Sequence, residues 1–99
     1  MKKRNFLNML QDVICCANEE NKKIKMGQTS NWEATELTEI VLPEMLELLA
    51  NISKKKPLFK YGKQRQLEST YLITDSLLHL NQTDLGIKIL ELQRQYYKL

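Results

Sequence analysis

The sequence predicts an all-α fold, an antiparallel four-helix bundle with a kinked second helix, and three observations predict it. Apolar residues recur every three or four positions in four separate stretches. No stretch alternates at period two for long enough to form a strand. Capping and breaking residues fall between the stretches, Pro43 being the exception. At 99 residues the chain makes one helical domain, 1–99, with helices expected over about 3–26, 31–53, 63–80 and 83–98.

In the first segment Phe6, Met9, Leu10, Val13, Cys16, Ala17 and Ile24 form one stripe at helical spacing. Lys22, Lys23 and Lys25 stand where cations suit a helix carboxyl end, and Gly27 is placed to stop the helix in the left-handed conformation. The second segment opens on Ser30-Asn31-Trp32-Glu33, which reads as a capping box with Ser30 as the cap and Glu33 as its reciprocal partner. Ala34, Leu37, Val41, Met45, Leu48, Leu49 and Ile52 make its apolar face. Glu33, Glu36, Glu44 and Glu47, with Glu39 beside them, make a face expected to be solvated. Pro43 removes one backbone donor and predicts the kink, because the stripe resumes at Met45 nearly in phase.

Pro57 and Gly62 punctuate the connection that follows. The third segment is expected to bury Leu67, Tyr71, Thr74, Leu77 and Leu78, with Ile73 and Leu80 widening the face and Glu68, Asp75 and His79 opposite. Any of Asn81, Gln82, Thr83 and Asp84 can cap the last helix, which aligns Leu85, Ile89, Leu92 and Tyr96 and is weakened in its first turn by Gly86.

Composition excludes several classes. At 42% hydrophobic and 27% charged residues, with three Gly and two Pro, the chain is neither disordered nor fibrous. No apolar run approaches a membrane span. The basic start, Lys2-Lys3-Arg4, is followed by a stretch broken by Asn5, Asn8, Gln11 and Asp12, unlike a signal peptide. The adjacent thiols Cys15 and Cys16 cannot join distant elements, so a reduced, cytoplasmic setting is expected. Catalysis is not expected. His79 is the single histidine, four residues after Asp75 near a helix end, and reads as a surface group. Two neighbouring cysteines and one distant histidine do not make a zinc site, the glutamates lack the Glu-x-x-His pairs of bundle metal centres, and no phosphate loop or nucleophile elbow is present. No cofactor is expected.

The informative feature is charge segregation. Residues 1–29 carry six cations and three acids, 30–52 five acids and no cation, 53–67 six cations and no acid, and 68–99 three cations and four acids, which together give the net charge of +3. Patches of this kind steer partners more than a small total does. Lys54, Lys55, Lys56, Lys60, Lys63 and Arg65 surround Phe59 and Tyr61, an arrangement that binds phosphates while stacking on bases or entering a lipid interface, or simply solubilises a loop. Arg94, Tyr97 and Lys98 form a second candidate surface, with Tyr97 outward while Tyr96 joins the core. Trp32 is expected to pack.

Leu78-His79-Leu80-Asn81, then Lys88, Leu90, Glu91, Leu92 and a closing Tyr97, together with the Lys2-Lys3 start, resemble the pediocin-like bacteriocin immunity proteins. The resemblance covers about the final quarter of the chain. It implies a small cytoplasmic four-helix bundle that recognises a bacteriocin-engaged membrane receptor from the cytoplasmic side, with specificity in the carboxyl-terminal half. Missing catalytic equipment and segregated charge point to a non-catalytic protein that binds another protein. Nucleic acid is the alternative partner, through the basic 54–65 stretch, as for a phage or mobile-element regulator. Pairing of that stretch with the acidic helix of a second copy would make a homodimer in place of a monomer.

Overall fold

In the computed structural model residues 2–53, 66–76 and 78–98 are described, and every regular element among them is helical. Helix α1 (Lys2–Lys25) follows from its stripe: Phe6, Leu10, Val13 and Ala17 are buried, with Met9, Cys16 and Ile24 packed at the margins. Asn21 continues the stripe as a buried polar residue whose Oδ1 has no hydrogen-bond partner. Gly27 stops the helix as expected, at φ +76°. Its N–H donates to the Ile24 carbonyl at 3.0 Å and that of Gln28 to Lys23 at 2.9 Å, a Schellman closure that satisfies two orphan carbonyls.

Helix α2 runs through three consecutive pieces, α-helical Ala34–Glu36, a π-helical turn Leu37–Val41 and α-helical Leu42–Ser53. The start differs from the sequence expectation. Glu33, not Ser30, is the cap, and the Glu36 carboxylate accepts the Glu33 N–H at 2.8 Å. Ser30 is drawn elsewhere: its hydroxyl donates to Glu20 at 2.7 Å and accepts the Trp32 N–H at 3.1 Å, which ties the connection to α1. The π turn lies directly ahead of Pro43. There the Leu42 N–H reaches back to the Leu37 carbonyl, five residues away, and this wider turn makes room where a proline ring would otherwise press on the preceding turn. Leu37, Val41, Met45 and Leu48 are buried, and Leu49 and Ile52 pack partly against them.

The acidic face of α2 is not wholly solvated, which corrects the sequence reading. Glu44 is buried, and its carboxylate accepts the backbone N–H of Glu68 at 2.7 Å, the N–H of Ser69 at 2.9 Å and the Ser69 hydroxyl at 2.8 Å. It thus caps the next helix from across the fold, where a negative charge meets the positive end of the helix dipole. Gln93 does the same one residue earlier, accepting the Leu67 N–H at 2.7 Å.

The third segment, α3, departs most from expectation. It begins at Glu68 rather than near Lys63, with Leu67 extended as its cap residue, and comprises α-helical Glu68–Tyr71 and a π turn Leu72–Ser76; a 3₁₀ turn Leu78–Gln82 follows. Among the described residues the buried set is Leu67, Ser69, Thr70, Leu72, Ile73 and Leu80, while Tyr71, expected inside, is 54% exposed. Buried Ser69 and Thr70 set the phase of the α-helical piece, and an apolar count passes over these polar residues and so misplaces Tyr71. Thr74 is half-buried, and the side chains of Leu77 and Leu78 lie outside the described residues. His79 is exposed, as read from the sequence.

Helix α4 (Asp84–Tyr97) is capped by Thr83, whose Oγ1 accepts the Gly86 N–H at 3.0 Å. Leu85, Ile89, Leu92 and Tyr96 are buried as expected, and the Tyr96 ring lies 6.0 Å from that of Phe6. Gly86 costs helix propensity but is required by a close approach: a Cβ there would land on the Leu80 carbonyl. Trp32 is 3% exposed and its indole N–H reaches Thr83 Oγ1 at 3.2 Å, so it packs as expected and pins the α1–α2 connection to the start of α4. Helix α1 packs against α4 and both main parts of α2, and the start of α3 against α4 and the π turn of α2.

Candidate functional site

The two π turns border one surface groove. Ile40 comes from the π turn of α2, Tyr71 and Leu72 from the junction where α3 widens, and Gln66 and Glu68 from the start of α3; together they line a depression of about 450 Å³. Its lining is mostly apolar. Ile40 is half-buried against the core, Leu72 nearly buried, and Tyr71 stands as an exposed wall. Single π turns inside α-helices recur at functional sites because they turn side chains out of the regular register. Here Ile40 lies within the π turn of α2 and Tyr71 immediately before that of α3.

Hydrogen bonds from beneath fix the start of α3 in the groove wall. Glu44 and Gln93 fix the backbone of residues 67–69, while the Gln66 carboxamide donates to Thr74 Oγ1 at 3.2 Å, and that hydroxyl donates to the Thr70 carbonyl at 3.0 Å. The start of α3 is therefore positioned by side chains from two other helices rather than by its own short length. A four-residue α-helical piece would not hold itself in water.

A second depression, about 290 Å³, is polar and lies at the opposite ends of α1 and α4, lined in part by Glu20, Lys23, Ser30, Trp32, Thr83 and Asp84. Its polar groups are used internally: Ser30 bonds Glu20, Lys23 pairs with Glu20 at 3.5 Å, and Trp32 bonds Thr83. It reads as the sealed joint of the connection.

Of the residues singled out in the sequence, Lys54, Lys55, Lys56, Phe59, Lys60, Tyr61, Lys63 and Arg65 lie outside the described residues. Arg94, Tyr97 and Lys98 share the last turn of α4. Arg94 bonds Glu91 at 2.9 Å, Tyr97 is 49% exposed with its ring 6.3 Å from that of Tyr96, and Lys98 is exposed. Sequence reasoning missed the groove. The signal available for it was Ile40, an apolar residue off the α2 stripe among glutamates.

The thiols differ in setting. Cys15 is exposed and donates weakly to Glu19 at 3.8 Å, whereas Cys16 is half-buried. Burial pushes the Cys16 thiol above its ordinary pKa, and the nearby carboxylates of Glu20, Glu19 and Asp12 add to this against the opposing pull of Lys88. Lys88 itself is raised by its 2.6 Å hydrogen bond to Asp12, a contact that joins α4 to α1. Among the described residues no three His, Cys, Asp or Glu side chains are grouped to hold a metal ion, and no helix is long and apolar enough to cross a membrane. No protein-family model matches the chain, and no curated protein or solved structure matches it either.

Proposed function

We propose that this chain is a non-catalytic protein-binding domain, an antiparallel four-helix bundle with α2 bent at Pro43, and that it acts by contact with one partner protein in the cytoplasm. The observation that supports this reading is the apolar groove at Ile40, Tyr71 and Leu72, an exposed aromatic wall over an apolar floor on a braced backbone. Tyrosines are enriched among the few residues from which interfaces draw most of their binding energy. Tyr97, exposed on the last turn of α4, supplies a second anchor of the same kind.

The most specific form of the reading is an immunity-type role, protection of a cell through recognition of a bacteriocin-engaged receptor, and it rests on the sequence resemblance over the final quarter. Two experiments test the levels separately. A photo-reactive residue at position 71, introduced in the producing cell, cross-links one discrete protein, whereas the same residue at exposed position 35 does not; equal labelling from both positions contradicts a binding function at the groove. Expression in a bacteriocin-sensitive host lowers sensitivity to at least one peptide of a panel, and unchanged sensitivity to all contradicts the immunity form alone.

A further inference from the structure

The reading as a protein-binding domain leaves the chemistry of the partner open, and the charge around the groove narrows it. Residues 30–53 and 66–76, the stretches that supply its lining, contain Glu33, Glu36, Glu39, Glu44, Glu47, Glu68 and Asp75 but no Lys or Arg. Glu44 is engaged with the start of α3. Glu68 lines the groove itself, Glu39 and Glu47 are exposed, and Glu36 lies one helical turn before Ile40. Among the described residues, the segments that supply this apolar floor thus carry acids and no Lys or Arg. A partner pays for desolvating the floor with its own apolar residues, and gains Coulomb attraction only if the positions flanking them are cationic. The lining comes from two helical segments, and no sheet edge occurs among the described residues to pair with an extended peptide. A groove between helices takes the apolar face of a third helix.

We propose that the groove docks a basic amphipathic helix of another protein, its apolar face against Ile40, Tyr71 and Leu72 and its Lys or Arg residues toward Glu36, Glu39, Glu47 and Glu68. This rests on the protein-binding reading and specifies the partner's docking element. The chain's own residues 54–65 combine six cations with Leu58, Phe59 and Tyr61, so a second copy is the competing occupant, and the test separates the two.

The probe is a fluorescent helical peptide of Leu at helical spacing and Lys elsewhere, titrated into the full chain, beside a counterpart carrying Glu for Lys. The Lys peptide binds and the Glu peptide does not; Tyr71→Ala weakens binding by about tenfold, and Glu68→Lys weakens it at low salt with the difference shrinking as salt is added. Thermal unfolding of each variant confirms that it is folded, and Glu47→Lys, on an exposed position outside the lining, gives the same salt-dependent loss if Glu68→Lys does not fold. Absence of Lys-peptide binding, equal binding of both peptides, or binding indifferent to Tyr71→Ala overturns the proposal. So does a chain that sediments as a dimer at low salt and becomes a monomer with Tyr71→Ala, because the occupant is then a second copy. A groove-dependent cross-linked partner that contacts position 71 through an acidic or neutral segment overturns the basic helix while leaving the protein-binding reading in place.

Discussion

Helices α1 and α4 and the pair α2 and α3 are built from similar residues under different rules. The first two keep one α-helical period from end to end, bury an unbroken stripe, and meet at Phe6 and Tyr96. The second two each contain a π turn, and α3 depends for its start on Glu44 and Gln93 from other helices. The regular helices bury their stripes yet leave Ile87 and Tyr97 of α4 about half exposed, whereas beside the wider turns half-buried Ile40 and exposed Tyr71 line one groove. With the groove as the proposed binding surface, the difference separates it from the scaffold, and substitutions on the two sides have different consequences.

The largest effect is expected on the scaffold. Gly86→Val drives side-chain atoms into the Leu80 carbonyl and into the Trp32–Thr83 joint, and lowers stability by about 3 kcal/mol, measured by urea unfolding. Next is the brace between the halves. Glu44→Ala strips two backbone N–H groups and the Ser69 hydroxyl of their acceptor and costs about 2 kcal/mol, while Glu44→Gln, which keeps one acceptor oxygen, recovers part of the loss. If Glu44→Gln and Glu44→Ala unfold alike, the carboxylate's charge rather than its hydrogen bonding is what caps α3. Tyr71→Ala, on the binding side, changes stability by less than about 0.5 kcal/mol, as for other exposed positions. A loss as large as that for Gly86→Val would place Tyr71 in the core and erase the distinction.

The smallest effect is on reactivity alone. An alkylating reagent labels Cys15 well before Cys16 near neutral pH, because Cys16 is half-buried and its raised pKa keeps it protonated. Because burial raises its pKa, Cys16 labelling continues to climb with pH beyond the range in which an ordinary thiol ionises. Peptide mapping of the alkylated chain reads both rates.

The same contrast explains what the sequence made legible. In α1 and α4 the stripes, the Gly27 stop and the inward Tyr96 with outward Tyr97 could all be read, because one period and local capping chemistry determined them. In α2 the stripe was legible but its cap was not: Ser30 and Glu33 fit a capping box locally, and the tertiary bond from Ser30 to Glu20 displaced it. In α3 the small polar residues Ser69 and Thr70 took the buried face, so the expected inward Tyr71 came out exposed. Glu44 was misread for a related reason. Nothing local marks a carboxylate on an acidic face as the cap of a helix more than twenty residues away; that pairing exists only once the chain is folded.

The most direct test is an amide chemical-shift map of the labelled chain during titration with the Leu/Lys peptide. The account predicts shifts concentrated at Ile40, Gln66, Glu68, Tyr71 and Leu72, with the central turns of α1 and α4 unmoved. Shifts confined to α1 and α4, with those five amides unchanged, would contradict it.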